Sequence, residues 1–149
     1  MMLDKEVFAD VVRNTPLVSI DLIVRNSSGK YLLGMRNNEP ARHYWFVPGG
    51  RVNKNEKLDD AFVRITEKEL GKSFQRNDAS FKGVYQHMYS TNFSQQGDFG
   101  THYVVLAHVL DIGDYTPVSD DQHDEYRWMS AEEILGDDKV HDYTKDYFR

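Results

Sequence analysis

Acidic side chains, arginines and glycines alternate between residues 49 and 71, in the stretch GGRVNKNEKLDDAFVRITEKELG. The apolar residues of its second half recur with helical spacing: Leu58, Ala61, Phe62 and Ile65. This pattern predicts a helix from about Leu58 to Leu70, with one apolar stripe packed on a core. Glu69 extends the same stripe. Because a desolvated carboxylate needs a cation or hydrogen-bond donors, Glu69 is a candidate metal ligand.

An aspartate and several histidines are further candidates for catalytic side chains. Asp21 interrupts the apolar run LVSIDLIV and shares one strand face with Ser19, so we expect its carboxylate to face a cleft rather than a dry core. Histidine titrates near pH ~6.5 and can act as a general base. Spacing leaves His87, His102 and His123 near equals for that role, because each adjoins the end of a predicted strand.

These side chains need elements to position them, and hydrophobic periodicity supplies candidates. In chain order they are a helix over 4–13, strands over 17–24, 30–35, 81–89 and 102–110, and a strand and helix within 125–135. Ser130 and Glu133 have the spacing of a capping box, which places the start of the last helix. Gly83 predicts a bulge or close approach in its strand. The polar tail after Gly136 leaves a final helix undecided.

Length and composition narrow the class of protein. The 149 residues suit one domain spanning 1–149. The net charge of -6 argues against a nucleic-acid or anionic-membrane surface, so any phosphate binding should depend on a few local arginines. There is no cysteine, so a metal must take oxygen or imidazole ligands. No signal-peptide-like core is present, and we expect a soluble cytoplasmic protein.

The stretch resembles the sequence box of the Nudix hydrolases, G-x5-E-x7-R-E-U-x-E-E-x-G-U, where U is apolar. The matching residues are Gly50, Glu56, Arg64, Glu69 and Gly71. The resemblance implies an α+β fold, the Nudix fold, in which an α/β/α sandwich surrounds a mixed β-sheet and carries the loop–helix. Two of the carboxylate positions differ, since Ile65 and Lys68 stand where the family has carboxylates. Loss of that cluster argues against a multi-metal attack on phosphorus.

From Asn14 to Trp128 the chain is similar to the GDP-mannose mannosyl hydrolases, a branch of that family with the same altered box. The similarity implies hydrolysis of a GDP-hexose to GDP and the free sugar, through inverting attack of water at the anomeric carbon. It also implies one Mg2+ per subunit, with Mn2+ as an alternative. The ligands would be Glu69, Gln122 and the backbone carbonyl of Gly49, an oxygen set of the kind that Mg2+ prefers.

The same resemblance assigns roles to other polar side chains. Arg36 and Arg51 would hold the departing diphosphate, Tyr103 would donate to it, and Asp21 and Arg64 match further polar positions at the site. His123 would be the general base, a choice that the resemblance and the adjacent Gln122 make.

Family members are dimers, so we expect a homodimer. Phe8 is either a core contact or, as that dimer implies, a stacking surface for the nucleotide base of the neighbouring subunit.

Two other functions stay open. An ordinary Nudix pyrophosphatase would cleave at phosphorus and release GMP and a sugar phosphate. A non-catalytic module would bind the nucleotide sugar without turnover. Because a sugar is distinguished by the orientation of single hydroxyl groups, mannose, glucose and fucose are not separated at this stage.

Overall fold

The computed structural model describes residues 3–117 and 125–149. Its helices are α1 (Lys5–Asn14), α2 (Leu58–Leu70), α3 (Ala131–Gly136) and α4 (Asp142–Lys145). Its strands are β1 (Leu17–Asn26), β2 (Tyr31–Met35), β3 (Trp45–Phe46), β4 (Gly49–Arg51), β5 (Ser80–Tyr89), β6 (Thr101–Gly113) and β7 (Tyr126–Met129). The predicted elements are therefore present, and apart from α2 their bounds differ from the predicted ones by a few residues.

The strands of the described ranges form one mixed sheet. Its main path runs β3-β2-β1-β6-β5, while β4 pairs with β1 and β7 pairs with β2. Strand β1 is parallel to β6 and antiparallel to β2 and β4. The pairing of β5 with β6 shifts register between Phe81 and Gly83, which confirms the irregularity predicted at that glycine. The central position of β1 fixes Asp21 in the middle of the sheet.

Helix α2 covers one face of the sheet. Its bounds match the prediction, because the apolar stripe packs and because Gly71 adopts φ 77°, a left-handed conformation that ends the helix. Phe62 and Ile65 pack against Ile20 and Leu22, which alternate along β1 toward this side. The core on this face holds the loop before α2 close to the sheet.

The C-terminal segment covers the other face, where Ile23 of β1 packs with Ile134, Val140 and Tyr147. Ser130 and Glu133 form the predicted capping box at the start of α3. The segment is fastened to β3, since Trp45 N donates to Lys139 O at 2.8 Å and His141 N donates to Trp45 O at 3.2 Å. The layers are thus helix, sheet and helix.

Helix α1 lies at one end of the sheet. The Asp4 carboxylate accepts from Val7 N at 3.0 Å and caps the helix, and Val12 is buried beneath it. None of the helices in the described ranges combines the length and the apolar character that a bilayer crossing requires.

Candidate active site

Four side chains predicted to act on the substrate meet in a cavity of about 130 Å³ where β1, β4, β5 and β6 come together. They are Asp21, Arg36, Arg51 and Tyr103. His87 and Tyr89 of β5 complete that wall of the cavity. Two guanidinium groups opposite a carboxylate and phenol groups form a place where an anionic ligand can bind through charge-assisted hydrogen bonds.

A second cavity, of about 260 Å³, adjoins the first. The two share Arg36, Phe46, Val47 and Gly49 as a common wall. Glu69 and Glu125 border the second cavity but not the first. The predicted metal ligands Gly49 and Glu69 therefore border the same space, next to the arginines.

Asp21 is held at the boundary between sheet and cavity. Burial raises the pKa of the Asp21 carboxyl group to about 6, while the hydrogen bond from Tyr147 and the charge of Arg36 act in the opposite direction. The Tyr147 hydroxyl donates to Asp21 Oδ2 at 2.6 Å. The cleft position expected for Asp21 agrees with this geometry.

Gly49 permits this close packing. It lies opposite Asp21 in the pairing of β1 with β4. A Cβ atom on Gly49 would lie 2.5 Å from Ile20 O and 2.7 Å from Asp21 Oδ1. Only glycine fits here, and its backbone is thereby pressed against the acidic side chain.

The arginines are oriented by neighbouring groups. Arg36 Nε donates to Pro40 O at 2.8 Å, and its guanidinium carbon lies 5.7 Å from the centre of the Phe46 ring. The guanidinium carbon of Arg51 lies 4.3 Å from the centre of the Phe8 ring, a cation–π contact. Phe8 also lies beside Arg36 and Tyr103 along a cavity of about 290 Å³ within the same chain.

Arg64 occupies a different place from the other predicted site residues. It is absent from the linings of the two cavities described above. Its Nε and Nη2 atoms donate to both oxygens of Glu56 at 2.8 and 2.9 Å, and Nη2 also donates to Arg51 O at 2.8 Å. In this geometry Arg64 joins the end of strand β4, where Arg51 lies, to the Glu56 side chain in the loop that follows.

The structure separates two of the three candidate histidines. His87 is 5% exposed, lines the Asp21 cavity and stacks on Tyr143 at 4.3 Å between ring centres. Burial lowers the pKa of His87 to about 4, so its imidazole is neutral near pH 7. His102 adjoins Tyr103 in β6 and therefore points to the opposite face of the sheet. His123 and Gln122 lie outside the described residues, so their roles stay predictions.

The residues around Glu69 offer oxygen donors for a divalent metal. Glu69, Glu125 and Gly49 border one cavity, and oxygen ligands are those that Mg2+ prefers. Within 3–117 and 125–149, no group of three or more His, Cys, Asp or Glu side chains is arranged to hold a metal ion. These residues fit a metal that takes few protein carboxylates and completes its shell with other oxygens.

Sequence reasoning missed the contribution of the C-terminal segment. Tyr147 reaches Asp21, and Tyr143 stacks on His87, although both lie in the tail whose structure was left undecided. Their spacing of four residues was the available signal, because it puts two aromatic side chains on one helical face.

Comparison with known proteins gives consistent results. The family model described as "NUDIX domain" matches residues 15–148. The low-salt glycan biosynthesis protein Agl8 of Haloferax volcanii is 42% identical over 117 residues, which are 78% of this chain and 72% of that protein.

Solved structures agree with that result. A MutT protein from Methanosarcina mazei has a TM-score of 0.63 at 27% identity and covers 91% of this chain and 92% of its own. A MutT NUDIX hydrolase from Burkholderia pseudomallei has a TM-score of 0.71 at 24% identity, with coverage of 91% and 97%, and this match concerns the fold alone.

Proposed function

The chain belongs to the Nudix hydrolase family, and from this premise we propose that it hydrolyses GDP-mannose, or a closely related GDP-hexose, to GDP and the free sugar. Water would attack the anomeric carbon with inversion. The observation that carries the proposal is the position of Glu69. Of the three carboxylate positions that follow the arginine in the family's box, it alone is acidic in this chain, and it borders a cavity next to Arg36.

The reduced carboxylate set suits chemistry at carbon better than chemistry at phosphorus. Attack on a phosphoryl group needs metal ions to neutralise it and to activate water. Substitution at an anomeric carbon passes through an oxocarbenium-like state and needs a stabilised leaving group and a base. The side chain of Ile65 is 1% exposed and belongs to the core, so position 65 supplies no metal ligand.

The chain's own residues divide the work. Arg36 and Arg51 bind the diphosphate and stabilise the charge that develops as it leaves. Burial raises the pKa of Tyr103, so its hydroxyl stays protonated and donates to the same group. His123 takes the proton from the attacking water, and Asp21 orients polar groups near the anomeric carbon. Glu69, Gly49 O and Gln122 would hold Mg2+, or Mn2+ in its place, which supplies further positive charge to the leaving group when bound.

The similarity to Agl8 supports a sugar-bearing substrate. That protein is named for glycan biosynthesis, and glycans are assembled from activated sugars. A nucleotide sugar would provide the diphosphate that the two arginines fit. Sugar and base identity are set by contacts that this likeness does not supply.

The test is product analysis with GDP-mannose and Mg2+ in ¹⁸O-labelled water. We expect GDP and mannose, with the label in mannose and the β anomer as the first product from the α-linked substrate, observed by proton NMR before mutarotation. Label in GMP or in mannose phosphate would refute the proposal and indicate cleavage at phosphorus. Binding without any turnover would indicate a module that only retains the nucleotide sugar.

One observation favours the pyrophosphatase as the second candidate. Glu125 borders the same cavity as Glu69, so a second acidic residue lies beside this space. Replacing Glu125 by Gln distinguishes the candidates, because a metal-assisted attack on phosphorus would depend on it, whereas the proposed hydrolysis at carbon would retain most of its rate.

We further propose that the protein acts in the cytoplasm as a homodimer. Support for self-association comes from Val7 and Val18, which are exposed and border an apolar cavity of about 510 Å³ between α1 and β1. Light scattering of the protein as it elutes from a size-exclusion column would give its molecular mass in solution. A monomer at micromolar concentration would refute the dimer.

A further inference from the structure

Tyr147 connects the end of the chain to the site. It is 126 residues from Asp21 in sequence, yet its hydroxyl donates to Asp21 Oδ2 at 2.6 Å. The Tyr147 ring is 4% exposed and packs edge-on against Tyr85, with 4.8 Å between the ring centres. The ring thus belongs to the core, while its hydroxyl reaches the carboxylate of Asp21, which lines the cavity.

The same hydroxyl lies between two polar groups of the cavity wall. It is 3.5 Å from His87 Nε2, a longer contact than its bond to the carboxylate. Burial raises the pKa of Tyr147 far above its ordinary range, so the hydroxyl keeps its proton and donates. The segment that carries it is fixed at Trp45 by the two backbone hydrogen bonds described above.

We propose that Tyr147 is a positioning residue for Asp21: its hydroxyl fixes one carboxylate oxygen, so that the other points past Gly49 into the cavity. The inference rests on the proposed function in that it takes this cavity as the substrate site. A carboxylate on a strand is free to rotate about χ2, whose energy profile is broad. A charge-assisted hydrogen bond from a rigidly packed phenol removes that freedom. Through Tyr147, the C-terminal segment then orients a side chain of the candidate site.

The decisive variant is Tyr147→Phe, which keeps the buried ring and removes only the hydroxyl. We expect kcat for GDP-mannose to fall by about 10–100-fold, the range for losing a hydrogen bond to a charged group. The KM and the affinity for GDP should change less than about twofold, because the arginines that bind the diphosphate are untouched. A merely structural role would lower the unfolding temperature and leave kcat unchanged.

Tyr143→Phe is the matched control. It lies in the same segment, but its hydroxyl bonds the backbone of Met88, accepting from N at 3.0 Å and donating to O at 2.9 Å. Loss of this hydroxyl should leave kcat within about twofold of the parent value. Equal losses of kcat in Tyr143→Phe and Tyr147→Phe would overturn the inference, since they would reflect general loosening of the segment.

A second measurement needs no substrate. Urea unfolding is followed for Tyr147→Phe, Asp21→Ala and the double variant, all with a chelator present. In the parent background, Tyr147→Phe should lower the urea midpoint of unfolding. In the Asp21→Ala background the same substitution should leave the midpoint unchanged or raise it, because the carboxylate that accepts the hydrogen bond has been removed. Equal shifts in both backgrounds overturn the inference whatever the substrate. Failure of the parent chain to hydrolyse GDP-mannose overturns the proposed function instead, so the two failures are distinguishable.

Discussion

Replacing Glu56 by Gln should destabilise the protein without weakening metal binding. Glu56 accepts two hydrogen bonds from Arg64 and a third from Asn53 N at 3.0 Å. The Arg64 guanidinium holds the pKa of Glu56 at about 2, against an ordinary value of 4.5. At ~1.36 kcal/mol per pH unit this difference would be worth about 3 kcal/mol. The Arg64 side chain is 41% exposed, and solvent screening reduces the expected loss to about 1–2 kcal/mol at pH 7.

The assay is urea unfolding of the Glu56→Gln variant and the parent at several pH values. The pKa of Glu56 is lower in the folded protein, so its stabilisation is present above pH 4.5 and disappears as the pH falls toward 2. The two proteins should therefore converge in acid. Asp59→Asn is the control, because the Asp59–Arg76 pair is more exposed and should be worth less than about 0.5 kcal/mol. A gap that stays constant with pH, or a large loss of Mg2+ affinity, would refute this structural role.

Three further predictions concern the site. Glu69→Gln should weaken Mg2+ binding, measured by calorimetry, and should lower kcat as well. Glu67→Gln, on the exposed side of α2, is the control and should leave both quantities unchanged. Equal effects of the two substitutions would exclude Glu69 as the ligand. His123→Gln should lower kcat by about 10²–10⁴ with little change in substrate affinity and remove the acidic limb near pH ~6.5; an unchanged kcat would direct attention to His87 or Asp21. In the metal-free protein, burial raises the pKa of Asp21 to about 6. The free energy of unfolding of the parent should therefore fall relative to that of Asp21→Asn as the pH rises from 3.8 through 6. A difference that grows in favour of the parent over this range would contradict that burial.

The elements with strong periodicity were predictable from sequence. Helix α2 has the predicted bounds, because its apolar stripe and the glycine at its end are local signals that agree with the packing. The tail after Gly136 was not predictable in this way. Helix α4 has only four residues, Asp142–Lys145, and the position of the tail depends on contacts with Trp45 and Asp21, which are far away in the chain. Local propensity carries no information about such partners.

The sequence named several side chains that the structure brings to one cavity, but it did not give their arrangement. Asp21, Arg36 and Tyr103 line one cavity, as the resemblance implied for a shared site. His87 and His102 looked equivalent in sequence, although their side chains lie on opposite faces of the sheet. The face that each side chain occupies is set by the register between β5 and β6, which the sequence of either strand alone does not specify.

The altered Nudix box is better explained as part of a functional site than as part of a site that has lost its function. One turn of α2 directs Ile65 into the core, leaves Lys68 exposed and brings Glu69 to the cavity. A Cβ on Gly50 would lie 2.9 Å from Ile65 Cγ1, so the isoleucine fills the space beneath the loop. A carboxylate at position 65 would be desolvated there. The Glu56–Arg64 pair holds Arg51 through its backbone carbonyl, and Glu69 borders the cavity, so the altered box keeps the geometry that the proposed site needs. Under the proposed function, such a site would place fewer charges on its metal and depend more on the arginines around the leaving group.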